Sequence, residues 1–494
     1  MKRHGMLMAA FAACVVWAVP AAEKKILPEY DVVVCGGGPA GIGASIAAAR
    51  QGLKTLVIEL NGCVGGTSTS GALPFWLGAY RDSIPYKRML AENIPYSKLK
   101  REKRAVGGIF DELMAKIREA GGGVGPGVMG QTAKYPGLDR LGCHDEFTFD
   151  IETGKRVMEQ EMLAAGVHIR YYARVIGARR VGDRVEGVSF VDKSGLQYVP
   201  AKVVIDCTGD ADLTAAAGFA TYKGDRETGQ MTGAGIVAHM ENIDSAALEK
   251  YLNEGNDPRF RPIIAKALKE NPGADWPERL IIFPMVQEGV FMVNGGQSFY
   301  GYDGTDGESM TQLTIRARTR AEALVDLFRR YLPGGRNCRL RLTAPYPGVR
   351  ETRRIEAERQ LTEEDLMEGT EFPDVIALAG RHFDLARPNR KVVAGSEQIG
   401  VQTFGDKKVK KGVTAIPYRA LLPKGADNLI VAGRCIGADG QAMGPCRIMS
   451  TCFATGQAAG TAAKLKLEAG CPFRSIDVQA LRSALRSAGG IVDP

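Results

Sequence analysis

Residues 30–59 carry the feature that most narrows what this chain can fold into. Tyr30-Asp31-Val32-Val33-Val34-Cys35 is a nearly continuous apolar run, as expected of a strand buried on both faces of a parallel sheet. A turn, Gly36-Gly37-Gly38-Pro39-Ala40-Gly41, follows at once, and residues 42–50 are Ala-rich and helix-prone. Gly52 suits the end of that helix, and residues 54–60 (KTLVIEL) read as a second strand carrying Glu59. Gly36, Gly38 and Gly41 fit the G-x-G-x-x-G spacing. The first glycine permits a tight turn, the second lets a pyrophosphate approach the backbone, and the third lets the helix pack on the sheet. The anion then rests on free N–H groups at the helix N-terminus, and Glu59, about 20 residues on, is placed to accept ribose hydroxyls. Glycines alone would fit a turn in an unrelated α/β protein. Strand, glycines, helix, strand and acid in this order argue for a bound dinucleotide.

The rest of the chain divides by rhythm. Residues 109–120 and 149–165 predict helices, residues 167–176 (VHIRYYARVI) alternate as a strand does, and residues 184–191 and 198–199 with Gly195 between them suggest a hairpin. Val203-Val204-Ile205-Asp206-Cys207 reads as another buried strand. From about residue 218 to 420 the βαβ rhythm stops, which predicts an inserted substrate domain; within it Thr362 and Asp365 form a capping-box pattern. The rhythm returns at residues 428–433 (NLIVAG), followed by a small-residue helix over 447–467. The expected architecture is α/β: a discontinuous Rossmann-type nucleotide domain over 28–217, with a cap-like insertion at about 72–148, an inserted α+β substrate domain over 218–420, and a return to the nucleotide domain over 421–494.

Lys2, Arg3 and His4 precede a short apolar run, residues 6–18, and Val19-Pro20-Ala21 offers small residues for cleavage. Residues 1–21 thus predict a cleavable signal peptide and a periplasmic or secreted protein, and no other stretch predicts a stable membrane span. The formal charge is +8, or +6 once Lys2 and Arg3 are removed. The excess gathers in residues 81–104 and 387–411, read as solvated loops; export argues against a nucleic-acid partner. Nine cysteines remain after Cys14 leaves with the signal, and none forms C-x-x-C, so no iron–sulfur, c-type haem or other metal site is expected. Cys35 and Cys207 read as small core residues.

NAD and FAD share the glycine fingerprint, and here a resemblance discriminates. DVVVCGGGPAGIGASIAAARQGLKTLVIELNGCVGGTSTSG resembles the opening of the FAD-dependent oxidoreductases related to the glutathione reductase and fumarate reductase flavoproteins. VVIDCTGDADLTAAAG, GVRETRRI and LLPKGADNLIVAGRCIGADGQAMGPCRIMSTCFATGQAAGTAA resemble the bacterial FAD-dependent oxidoreductase family, over about residues 30–464. The resemblance implies FAD as cofactor, with Gly36, Gly38, Pro39, Ala40, Gly41 and Glu59 in its binding. It places Gly65 and Gly66, followed by Thr67, near the ribityl chain and pyrophosphate, and Val175 against adenine through its backbone. It implies that Thr208 and Gly209 lie where the chain leaves the FAD sheet, and that Gly433, Arg434 and Asp439 belong to the C-terminal FAD segment. Gly444, Cys446, Arg447 and Ile448 bring a helix N-terminus toward the flavin, where positive potential favours the anionic reduced ring. Related proteins often carry a His where this chain has Ala386, with His382 nearby.

Candidate catalytic groups are Arg353, Arg354 and Arg447, which can orient a carboxylate or stabilise an oxyanion, and His382, which can move a proton. For Arg353 and Arg354 the competing reading is an ion pair with Glu351 or Glu356; His144 and His239 are weaker candidates, and Cys435 or Cys446 could tether flavin or be small buried thiols. No second glycine fingerprint follows a strand, so a separate NADPH domain is not expected. Electrons would pass between a small polar organic substrate and an external acceptor or donor. The alternatives are a lyase or glycoside-cleaving enzyme that uses transient oxidation, and a non-catalytic FAD-binding protein.

Overall fold

The computed structural model describes residues 25–81, 103–125, 130–141, 147–295, 298–380, 387–388, 401–402 and 413–494. The expected signal peptide, residues 1–21, together with His144, His382, Ala386 and most of both basic segments, lies outside the described residues.

Strand β1 (Tyr30–Cys35) leads through the glycine turn into α1 (Pro39–Arg50), and β2 (Thr55–Ile58) returns beside β1 in parallel. After α2 (Ile109–Glu119) and α3 (Ile151–Ala164), β3 (His168–Arg170) joins the far side of β2. Then β4 (Arg174–Val181), β5 (Arg184–Asp192) and β6 (Gly195–Asp206) run as an antiparallel meander. The last five residue pairs of β6 pair in parallel with β1, and β6 also takes β12 (Leu429–Val431) on its other side. The result is a five-stranded parallel sheet, β3-β2-β1-β6-β12, continuous with a three-stranded meander.

Three differences from the sequence expectations have local causes. The run 167–176 is two strands rather than one, because Tyr172 takes a left-handed φ of 53° and turns the chain out of the parallel sheet into the meander. The hairpin arm and the buried strand that follows are one strand, β6. It changes partner from β5 to β1 between Pro200 and Ala201, at a residue with no N–H to give to a ladder. The helix expected from residue 149 starts at Ile151, because Phe149 belongs to a short strand and the Asp150 carboxylate caps the helix by accepting the Thr153 N–H (2.8 Å).

A second body stands on residues 234–343. Its antiparallel sheet is ordered β8-β9-β7-β10, from β7 (Ala238–Glu241), β8 (Ile281–Pro284), β9 (Phe291–Gly295) and β10 (Arg339–Thr343), with the 25-residue helix α4 (Gly307–Tyr331) beside it. Met240, Phe260, Ile282, Phe291, Leu324 and Phe328 fill its core. The chain returns through β11 (Arg353–Ile355), which pairs with Thr221–Lys223, to β12 and to α5 (Met449–Ala469). The expected helix over 447–467 is thus two pieces, Met443–Cys446 and α5, separated by Arg447 and Ile448. The expected capping box is present, with Thr362 and Asp365 bonding each other's backbone N–H. Helix α5 lies against α1 with almost no side chain between them: a methyl group on Gly456 or Gly460 would overlap the carbonyl oxygen of Ala40 or Ala44. Among the described residues, no helix is long and apolar enough to cross a membrane.

Candidate functional site

The three fingerprint glycines are not equivalent in the fold. Gly36 has φ 100°, and a side chain on it would overlap the Cys207 carbonyl at the end of β6. A side chain on Gly41 would overlap the Gly36 carbonyl. Both are therefore demanded by the protein's own backbone. Gly38 is different: a Cβ there would meet no atom closer than the Gly66 Cα at 4.0 Å. Gly38 is also the N-cap of α1; it offers no side-chain cap, and the first turn holds no acid. Pro39, at the first helical position, has no N–H to leave unpaired. An open cradle thus lies over uncapped helical N–H groups, the surroundings a phosphate requires.

The wall of this cradle is the loop after β2. Gly65 and Gly66 have φ of 104° and 53°, and the Gly65 N–H donates to the Gly37 carbonyl (2.8 Å). A Cβ on Gly66 would stand 3.0 Å from the Gly38 Cα, so the two glycine turns face each other across the gap, with Thr67 exposed beside it. Glu59 closes one end and is 5% exposed. Its Oε2 accepts the Gly37 N–H at 2.6 Å; its Oε1 accepts the Asn61 backbone N–H and side-chain Nδ2, each at 2.8 Å. Burial raises the Glu59 pKa, against the pull of these donors, and further donors such as ribose hydroxyls would suit it. The Glu59 carbonyl accepts the Ala173 N–H (3.0 Å), which brings half-buried Val175 to the same end. Asn61 was missed in the sequence; its only cue was its place two residues after the acid.

Thr208 and Gly209 lie at the other side of the turn. The Thr208 hydroxyl donates to Asp206 Oδ1 (2.7 Å) and accepts the Asp212 N–H (2.9 Å), so it ties the loop together. Asp206, fully buried, also accepts from the Thr214 N–H and hydroxyl (2.8 and 2.7 Å). Gly209 has φ 80° and faces the Arg434 guanidinium, which donates to Asp210 (2.7 Å) and to the Val349 carbonyl. Gly433, with φ 86°, donates its N–H to the Thr455 hydroxyl at 3.2 Å. Asp439 is half-buried, and burial raises its pKa while Arg226 and Arg354 oppose the shift.

The catalytic candidates separate here. Arg353 pairs with Asp212 and donates to the Asp210 carbonyl (2.9 Å). Arg354 is 1% exposed, paired with Glu351, bonded to the Gly224 carbonyl, and stacked 4.7 Å from the Tyr222 ring centre. Both guanidiniums thus meet protein partners: Arg354 pairs with Glu351, as the ion-pair alternative had it, while the partner of Arg353 is Asp212 rather than Glu351 or Glu356. Arg447 is half-buried at the start of α5, a 21-residue helix whose N-cap, Ile448, supplies no side-chain bond and whose first turn holds no acid. Gly444 and Cys446 are buried next to it; burial pushes the Cys446 and Cys435 thiols up, and the Cys446 thiol donates to the Ala442 carbonyl at 3.2 Å. Among the described residues no cluster could hold a metal, and all eight cysteines are free.

A family model described as FAD dependent oxidoreductase matches residues 31–485. Dihydrolipoyl dehydrogenase of Trypanosoma brucei brucei is 52% identical over 50 residues, 10% of this chain and 10% of that protein. Leghemoglobin reductase of Glycine max is 33% identical over 139 residues, 27% of this chain and 23% of that protein. The matches therefore span a quarter or less of these relatives. Among solved structures, a geranylgeranyl bacteriochlorophyll reductase-like protein from Thermoplasma acidophilum is 13% identical with a TM-score of 0.43, covering 94% of this chain and 84% of that one. A p-nitrophenol 4-monooxygenase from Pseudomonas putida DLL-E4 is 14% identical with a TM-score of 0.41, covering 92% and 83%. With a family match running from β1 nearly to the C-terminus, over a turn shaped for a dinucleotide, the chain belongs to the FAD-dependent oxidoreductase family and is an enzyme that works with FAD.

Proposed function

We propose that the enzyme moves a hydride between a C–H bond of a small polar organic substrate and the flavin, with an external electron acceptor or donor completing the cycle. The observation that carries this reading is the anchoring of the loop after β2. At one end its Gly65 N–H bonds the Gly37 carbonyl. Further on, the Ser70 carbonyl accepts the Tyr346 N–H (3.1 Å) and the Ala72 carbonyl meets His239 Nε2 (2.8 Å). A flavin held by this loop would face the second body, which would leave the space between the two for the substrate. FAD supplies a hydride acceptor and donor at its ring.

The chain's own residues do the rest. The turn around Gly38 and the N-terminus of α1 hold the two phosphates, and Glu59 orients the ribose. The uncapped N-terminus of α5 and Arg447 keep positive potential at the flavin end, which favours negative charge there. Arg353 and Arg354 hold the loops that frame the site. We also propose that the enzyme works outside the cytoplasm, after cleavage near Ala21; N-terminal sequencing of the native protein checks this, and a retained Met1 would overturn it.

Anaerobic titration of the holoenzyme with candidate substrates tests the reaction. Stable loss of the yellow colour with one substrate, reversed by an added acceptor, is expected. Turnover of a substrate without any acceptor would replace net oxidation with an internally cyclic reaction.

A further inference from the structure

Residues 344–349 (APYPGV) form an arch between β10 and β11 that is pinned to both bodies. The Ala344 N–H donates to the Val237 carbonyl (2.8 Å) and the Gly348 N–H to the Gly235 carbonyl (2.7 Å), both in the second body. The Tyr346 N–H donates to the Ser70 carbonyl (3.1 Å), and the Val349 carbonyl accepts from Arg434, both in the nucleotide body. Pro345 and Pro347 flank Tyr346, which fixes their own φ and holds the residue before each in extended backbone. The arch is therefore stiff, and Tyr346 is delivered by the second body directly onto the glycine loop.

The Tyr346 side chain is not used by the protein. Its ring is 36% exposed, and its hydroxyl makes no hydrogen bond among the described residues. Desolvation and then Asp210 raise its pKa, while Arg434 and Arg174 pull it down, so the phenol stands among groups from the end of β6, from the segment after β12 and from the start of β4. Of these, Asp210 is bonded to Arg434 and Thr352, and Asp212 to Arg353. Arg174 is exposed and makes no ion pair among the described residues. Asp210 adjoins Gly209, and Arg174 follows Ala173, whose N–H bonds the Glu59 carbonyl. A rigid aromatic ring with an unused polar end, beside an uncommitted cation, fits a flat and anionic ligand.

We propose that Tyr346 packs over the adenosine-phosphate half of the bound FAD, as a clasp that ties cofactor retention to the seating of the second body. The inference rests on the FAD assignment above and adds a contact from outside the nucleotide body.

The test uses the holoenzyme, with release of FAD followed by the rise in flavin fluorescence on dilution and on competition with ADP. Y346A is expected to weaken FAD roughly tenfold or more, the usual worth of one aromatic ring against a base, and to weaken ADP in parallel. Y346F, which keeps the ring, stays within about twofold of the parent in FAD affinity. Melting of the FAD-free protein is expected to change little in both, because the ring is partly exposed and its hydroxyl bonds no described residue, whereas with FAD added Y346A is expected to melt lower than the parent in step with its weaker binding; should Y346A not fold, Y346L is read in the same way. Unchanged FAD release in Y346A overturns the proposal, as does a loss of FAD affinity with ADP affinity intact. If the parent protein itself binds no FAD, the cofactor assignment fails with it, and that outcome is visible before any variant is made.

Discussion

Gly38 and its two neighbours in the fingerprint offer a contrast at single residues. A methyl group on Gly38 fills a space that the protein leaves open, whereas one on Gly36 or Gly41 strikes backbone. Gly38→Ala is therefore expected to change the melting temperature of the FAD-free protein little, and to weaken FAD about tenfold to a hundredfold by filling the phosphate cradle. Gly41→Ala is expected to prevent folding outright. Titration with FAD alongside melting curves separates the two. His239 makes a second residue-scale prediction. It is 4% exposed, and since a carbonyl only accepts, Nε2 carries the proton donated to Ala72, itself held at φ 50°. Burial holds its pKa at about 4, against 6.5 for the free side chain, with Arg341 assisting and the Ala72 bond opposing. The unfolded chain thus takes up this proton first on acidification. The stability contributed by the neutral ring is intact above pH 6.5 and is lost as pH falls toward 4, by roughly 3 kcal/mol at the limit. Melting curves across that range should fall less steeply for His239→Gln; equal slopes would remove His239 as the source.

At the scale of elements, the crossing of α1 and α5 carries the nucleotide body. Gly43, Gly456 and Gly460 let the two helices touch backbone to backbone, with Gly43 set against the Phe453 carbonyl. Gly456→Ala normally favours a helix by about 1 kcal/mol, but here the new methyl must push α5 off Ala40. The expected net effect is a loss of about 3 kcal/mol or more, read as a fall in denaturant midpoint, together with weaker FAD binding because α1 carries the phosphate cradle. The helix, strand and capping pattern of these elements was legible because each follows from local rules: Ala and Gly at helical spacing, Val and Ile in short runs, Thr362 three residues before Asp365. The break at Tyr172 and the partner change at Pro200 were not, since neither disturbs the alternation of side chains that marks a strand.

Across the whole molecule, the run Val349 to Arg354 bolts the two bodies together. Arg350 donates to the Gly233 carbonyl (2.8 Å), just ahead of the second body, and to the Ser298 hydroxyl (3.1 Å) within it, while Thr352 and Arg434 converge on Asp210 in the nucleotide body. The Asp210 and Arg434 side chains are 13% and 20% exposed, so the pair is poorly screened by water. Asp210→Ala leaves Arg434 without its carboxylate and is expected to lower stability by about 3 kcal/mol. If the substrate binds between the two bodies, as proposed, the change should also raise KM for substrate more than it lowers kcat; a variant with parental melting and kinetics would show that the bolt is dispensable.

The sequence by itself determined that a dinucleotide-binding βαβ unit opens this chain and that a second, differently built body interrupts it. Those properties depend on neighbours along the chain: apolar runs, glycine spacing and an acid at a strand end. Only the tertiary structure decided what each polar group meets. Arg353 and Arg354 read equally well as substrate ligands or as ion-pair partners until Asp212 and Glu351 were seen beside them, and Gly38 could not be told from Gly36 until Cys207 was seen to crowd one and nothing the other. Glu351 lies three residues from Arg354 and was a legible candidate, but Arg353 with Asp212 and Gly36 with Cys207 join residues more than a hundred positions apart, and a linear pattern holds no record of which distant group folding will bring alongside.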